Sequence, residues 1–66
     1  MKQSELIKSI KQLAKAHQVP WIFDRHGGDH DIYKLDGKQY QIPRHREINE
    51  RLARGMIKEA KDQLGA

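Results

Sequence analysis

The dipeptide Asp36-Gly37 lies between two short segments that are rich in β-branched and aromatic residues. Asp-Gly is favoured in the two-residue turns of β-hairpins, because both turn positions require a positive φ. The segments 31–35 and 38–42 are therefore predicted to pair as antiparallel strands. This turn also fixes the register, so that Leu35 would face Lys38 and Tyr33 would face Tyr40.

The predicted register assigns each side chain of the hairpin to one of two faces, because side chains alternate along a strand. One face is apolar and is expected to lie under the helices. The other is largely polar and is expected to stay open to solvent. The apolar face comprises Tyr33, Leu35, Tyr40 and Ile42, and the open face comprises His30, Ile32, Lys34, Gln39 and Gln41.

The rest of the chain predicts one further strand and a helix at each end. Residues 21–23 form a short aromatic segment between Pro20 and the pair Gly27-Gly28, which is typical of a strand. The first helix is predicted to begin after Ser4 as its N-cap and to end near His17 or Gln18, because Pro20 prevents its continuation.

Apolar residues recur at four-residue spacing from Ile48 to Leu64, which indicates a closing helix with Asn49 as its N-cap and Gly65 at its end. The predicted fold is therefore α+β, with element order α-β-β-β-α. A three-stranded antiparallel sheet would carry both helices on one face, in a single domain that spans residues 1–66.

Composition restricts the classes of partner. The chain has a net charge of +4 and a pI near 9.6, which favours anionic partners such as nucleic acid, although a merely soluble basic domain would look similar. It has no cysteine, so disulfides and thiolate metal sites are excluded. No apolar run reaches membrane-spanning length, and the amphipathic N-terminal segment is unlike a signal peptide, so a cytoplasmic location is expected.

The most unusual stretch places Gly27 and Gly28 between two histidines. Glycines permit a sharp bend and a close approach to the main chain. His30 follows at the start of a predicted strand, firmly held yet near solvent, as a proton-transfer group must be. The competing interpretation is an ordinary turn with His30 as a surface residue.

Other chemistries fit this sequence less well. His26 and His30 are four residues apart, but the glycine bend between them prevents the helical presentation of zinc ligands. Ser4 and Ser9 both belong to the first helix, far from any histidine on a strand. We therefore expect neither a metal nor another cofactor.

A histidine near Arg25, Arg44 and Arg46 instead suits RNA cleavage, in which a base takes the 2′-hydroxyl proton and cations stabilise the phosphate.

The segment Gly28-Asp29-His30, with Arg25 before it and Pro43-Arg44-His45 after the hairpin, resembles the Gly-x-His signature of the HicA family of toxin mRNA interferases. The similarity in element order covers essentially the whole chain. It implies a double-stranded-RNA-binding-domain-like fold, ribosome-independent cleavage of mRNA, and a HicB-like antitoxin that covers the active site. Asp29 departs from the serine that is common in the family, and a carboxylate there would repel phosphate.

The resulting hypothesis is a toxin endoribonuclease with His30 as its catalytic residue and a bend at Gly27 and Gly28. The identity of a second acid stays open among His26, Tyr33 and His45. The alternative is a non-catalytic RNA-binding module of the same fold, and a third possibility is an adaptor for a protein partner. The predicted RNA contacts are Arg25, Lys34, Arg44, His45 and Arg46.

Overall fold

The computed structural model of the chain describes residues 1–65 and confirms the α+β class. Three antiparallel strands form an open sheet in the order β1-β2-β3, with one helix before it and one after it. The elements are α1 (Gln3–Ala16), β1 (Trp21–Gly27), β2 (His30–Leu35), β3 (Lys38–Pro43) and α2 (Glu50–Leu64). Strand β1 is thus four residues longer than the aromatic segment 21–23 predicts.

The predicted hairpin is confirmed in both its turn and its register. Asp36 has a φ of 49° and Gly37 a φ of 89°, the two positive values that this turn requires. Leu35 pairs with Lys38 and Tyr33 pairs with Tyr40. The pairing of β2 with β3 runs without irregularity back to His30 and Pro43, so the alternation of faces holds along all of β2.

Strand β1 contains a one-residue bulge at Asp24. Before it, Phe23 pairs with Tyr33; after it, Arg25 pairs with Ile32 and the register has moved by one residue. A bulge inserts one unpaired residue and changes which side chains share a face beyond it. The side chains of Arg25 and His26 therefore lie on the faces opposite to those that an unbulged strand would give them.

The hydrophobic core lies between one face of the sheet and the two helices, as the alternation predicts. Leu35, Tyr40 and Ile42 contribute the buried side chains of the sheet. Ile32 is also buried, with 5% exposure, but it does not belong to this cluster, which agrees with its place on the open face. Neither helix within residues 1–65 has the length and apolarity needed to cross a bilayer. The helices contribute Leu6, Ile10, Ala14, Ala53 and Ala60 to the core, and Ile48 joins them from the segment before α2.

The structure confirms three of the four predicted helix ends, and the first of them is the end of α1 at Ala16 with His17 as its C-cap. Asn49 caps α2, because its side-chain oxygen accepts hydrogen bonds from the amides of Arg51 and Leu52 at 2.9 and 3.3 Å. Gly65 ends the helix with a left-handed φ of 76°. The prediction for Ser4 is wrong: α1 begins at Gln3, and the Gln3 amide donates to the carbonyl of Arg46 at 3.0 Å. A distant segment thus satisfies one of the amide donors that have no partner within the first turn of the helix.

Gly55 offers a direct test of the open surroundings that the structure gives to this position of α2. It lies within α2, and a Cβ added there would meet no atom within 4 Å. Because glycine costs about 1 kcal/mol relative to alanine in a helix interior, Gly55→Ala should raise the free energy of unfolding by about that amount. Urea denaturation measures the change. Gly37→Ala is the opposite control, since a residue with a Cβ is strained at a φ of 89°. A destabilised Gly55→Ala would contradict the open environment of this position.

Candidate functional site

His30 lies on the open face of the sheet, at the first position of β2. It pairs with Gly27 on one side and Pro43 on the other, and it shares its face with Ile32. The residue is half-buried, and its imidazole has no hydrogen-bond partner within residues 1–65. Both ring nitrogens are thus available to a ligand on the face opposite the helices.

The bend before His30 lies one residue later than the glycine pair suggests. Gly28 and Asp29 are the two turn residues, and Gly28 has a positive φ of 53°. Gly27 is the last residue of β1, where a Cβ would be in ordinary contact with the Ile32 side chain at 3.4 Å. The conformational freedom of glycine is therefore required at Gly28 and not at Gly27.

The structure brings part of the predicted basic segment next to this turn. The amide of Arg44 donates to the carbonyl of Asp29 at 2.9 Å. Together with Gly28 and His45, these two residues line a shallow surface depression. Asp29 thus holds the segment through its main chain.

The remaining predicted RNA contacts are spread over the surface. Arg25 pairs with Ile32 across the strands, and its guanidinium forms an ion pair with Asp24 in the bulge. Lys34 is exposed and lies on the same face as His30, farther along β2. Arg46 is exposed beyond β3, where its carbonyl accepts from Gln3. Arg25 and Lys34 thus share the open face with His30, whereas Arg44 and Arg46 lie in the segment after β3.

A second cluster lies on the other face, at the same end of the sheet. His26 pairs with Asp31 after the bulge, and the His26 Nδ1 lies 2.7 Å from the Asp31 Oδ1. The Arg44 Nε lies 3.5 Å from the same oxygen. The rings of Phe23 and His26 meet edge to face at 5.0 Å, and those of Phe23 and Tyr33 at 5.4 Å. We call these five residues the helix-side cluster.

The contact with Asp31 fixes the protonation of one nitrogen of His26. A carboxylate only accepts hydrogen bonds, so Nδ1 must carry a proton. The other nitrogen, Nε2, then faces outward on a side chain that is 65% exposed. The Asp31 side chain is only 16% exposed, and its carboxylate contacts both His26 and Arg44. This arrangement orients the His26 ring, with Nδ1 toward Asp31, beside the guanidinium of Arg44.

Sequence reasoning identified each histidine but missed this pairing. The alternation of side chains along β2 explains why Asp31 lies on the face opposite His30. The contact with His26 depends on the bulge at Asp24, for which the alternation of apolar residues gives no signal.

Aromatic rings connect the helix-side cluster with the core. Trp21 stacks on Tyr33, with ring centroids 4.7 Å apart. Burial raises the pKa of Tyr33 above its ordinary value, and the nearby carboxylate of Asp31 raises it further. Burial also raises the pKa of Tyr40. Both phenols are therefore neutral at physiological pH.

These two tyrosines predict a loss of stability in alkali. The folded state holds the phenolic protons more tightly than the unfolded chain, in which tyrosine titrates near pH 10. Above about pH 10 the unfolded state binds fewer protons, so the free energy of unfolding should fall as the pH rises through the raised pKa values. Tyr33→Phe should make the free energy of unfolding fall less steeply with pH. Urea denaturation at a series of pH values between about 9 and 11 measures this dependence. An unchanged slope would contradict the raised pKa of Tyr33.

Neither family models, nor curated proteins, nor solved structures give a match to this chain. Within residues 1–65, no three histidine, cysteine or acidic side chains converge in a way that could hold a metal ion. The site is thus described by its own geometry: a free imidazole on the open face, a glycine turn, a nearby basic segment, and a histidine–aspartate pair on the reverse side.

Proposed function

We propose that this protein is an endoribonuclease of the toxin mRNA interferase type, with His30 as its catalytic residue. The observation that carries the proposal is the placement of His30. Its imidazole is half-buried, has no partner within residues 1–65, and lies beside the Gly28–Asp29 turn on the face that the helices leave open. A phosphodiester can reach a histidine there without any displacement of the core.

The chemistry needs only groups that the chain itself supplies. His30 takes the proton of a ribose 2′-hydroxyl, and the 2′-oxygen forms a bond to the adjacent phosphorus. The bond from phosphorus to the 5′-oxygen then breaks, and that oxygen receives a proton from a second acid of this chain, which is His26, Tyr33 or His45. The products are a 2′,3′-cyclic phosphate and a 5′-hydroxyl end. Guanidinium groups such as that of Arg44 stabilise the negative charge that develops on the phosphate oxygens.

The resemblance to HicA toxins extends the proposal to the substrate, the cellular location and the partner protein. The substrate is mRNA, the activity takes place in the cytoplasm, and a HicB-like antitoxin neutralises the enzyme. The net charge of +4 supports an anionic substrate. Arg25, Lys34, Arg44, His45 and Arg46 are the proposed RNA contacts.

A non-catalytic RNA-binding module is the second candidate. The observation that favours it is the distribution of basic side chains over β1, β2 and the segment after β3, which suits binding along a nucleic acid more than concentrated stabilisation of one phosphate. Such a module would bind RNA in a salt-dependent manner and leave it intact.

Substitution of His30 separates the two candidates. Purified His30→Ala protein should cleave an mRNA transcript at least about 100-fold more slowly than the wild type, because it lacks the proton-transfer group. His17→Gln is the matched control, since His17 is an exposed histidine at the end of α1. Cleavage is followed on denaturing gels with and without a chelator, and circular dichroism verifies folding.

Wild-type cleavage that persists in the chelator and disappears only in His30→Ala supports the endoribonuclease. Unchanged cleavage in folded His30→Ala would rule out His30 as the catalytic residue. RNA that is bound but never cut by the wild type would favour the binding module.

A further inference from the structure

We infer that the helix-side cluster is a second nucleotide subsite, which binds an unpaired nucleotide next to the one that His30 contacts. Its base would stack on Phe23, and its phosphate would lie against Arg44 and the outward nitrogen of His26. This inference rests on the proposed function, because it assumes an RNA ligand. It adds a binding role for Phe23, His26 and Asp31.

Phe23 has the exposure expected of a stacking surface and not of a core residue. It is 43% exposed, whereas its neighbours Trp21 and Tyr33 are partly buried and pack against the core. Edge-to-face contacts with His26 and Tyr33 hold the Phe23 ring in place at little further cost on binding. A rigid, accessible aromatic ring is the usual surface on which an unpaired base stacks.

The charged part of the cluster supplies what a phosphate needs beside such a base. Arg44 is about half exposed, and its Nε contact with Asp31 orients the guanidinium. His26 has its Nδ1 bound to the same carboxylate and its ring largely exposed, and in the imidazolium form its Nε2 also donates to the ligand. Asp31 is itself negative, but it is only 16% exposed and lies behind both groups. It therefore positions the donors and does not face the phosphate.

The cluster and His30 flank the same turn from opposite sides. The pair His26–Asp31 is next to the pair Gly27–His30 in the β1–β2 ladder, and successive residues of a strand are about 3.4 Å apart. Adjacent pairs present their side chains on opposite faces. An RNA strand that passes around the Gly28–Asp29 turn can thus place neighbouring nucleotides on the two faces. A duplex cannot do this, because its bases are paired and stacked.

The test measures binding of a short 2′-O-methyl oligonucleotide, which cannot be cleaved at its modified 2′ positions. Phe23→Leu removes the aromatic ring but keeps an apolar side chain, and it should weaken single-strand binding about tenfold. Phe23→Trp should restore wild-type affinity. Leu52→Ala is the control, because Leu52 is 45% exposed but lies on α2. Fluorescence anisotropy gives the affinities, and a duplex of the same sequence is titrated in parallel.

Weaker binding by Phe23→Leu, rescue by Phe23→Trp and an unchanged Leu52→Ala support the subsite. Wild-type affinity in folded Phe23→Leu, or a wild-type preference for the duplex, overturns it. If cleavage depends on His30 while Phe23 has no effect, the proposed function stands and the subsite fails. If Phe23 matters for binding but His30 is dispensable for cleavage, the subsite stands and the catalytic assignment fails.

Discussion

The bulge at Asp24 determines on which side of the sheet His26 lies relative to His30. Before the bulge, Phe23 pairs with Tyr33, and continuation of that register would place His26 opposite His30 on the open face. The inserted residue instead places His26 opposite Asp31. One unpaired residue thus separates the two imidazoles and gives His26 a carboxylate partner at 2.7 Å. Both the free imidazole of His30 and the helix-side cluster depend on it.

Main-chain hydrogen bonds keep the basic segment after β3 beside this hairpin. The Arg44 amide binds the carbonyl of Asp29 in the turn, while the carbonyls of Pro43 and Arg46 accept from the side chain and amide of Gln3. The segment is therefore attached to the turn on one side and to the start of α1 on the other. These main-chain contacts hold the segment while the side chains of His45 and Arg46 stay exposed.

Short-range chemistry explains what could be predicted from the sequence. The turn at Asp36-Gly37 and the caps at Asn49 and Gly65 each depend on a few adjacent residues, and each is observed. Alternation from that turn also places His30 on the open face. What could not be predicted depends on distant partners. The start of α1 is set by the carbonyl of Arg46, and the pairing of His26 depends on the register of β1 against β2. Neither the spacing of apolar residues nor any local motif encodes these.

The separation of the two histidines can be measured directly by nuclear Overhauser contacts in solution. The account predicts contacts from the ring protons of His26 to the ring of Phe23, whose centroid lies 5.0 Å away, and Hα contacts consistent with a His26–Asp31 pair. It predicts none between the rings of His26 and His30. Ring contacts between these two histidines, with Arg25 opposite Asp31, would show an unbulged strand and contradict the account.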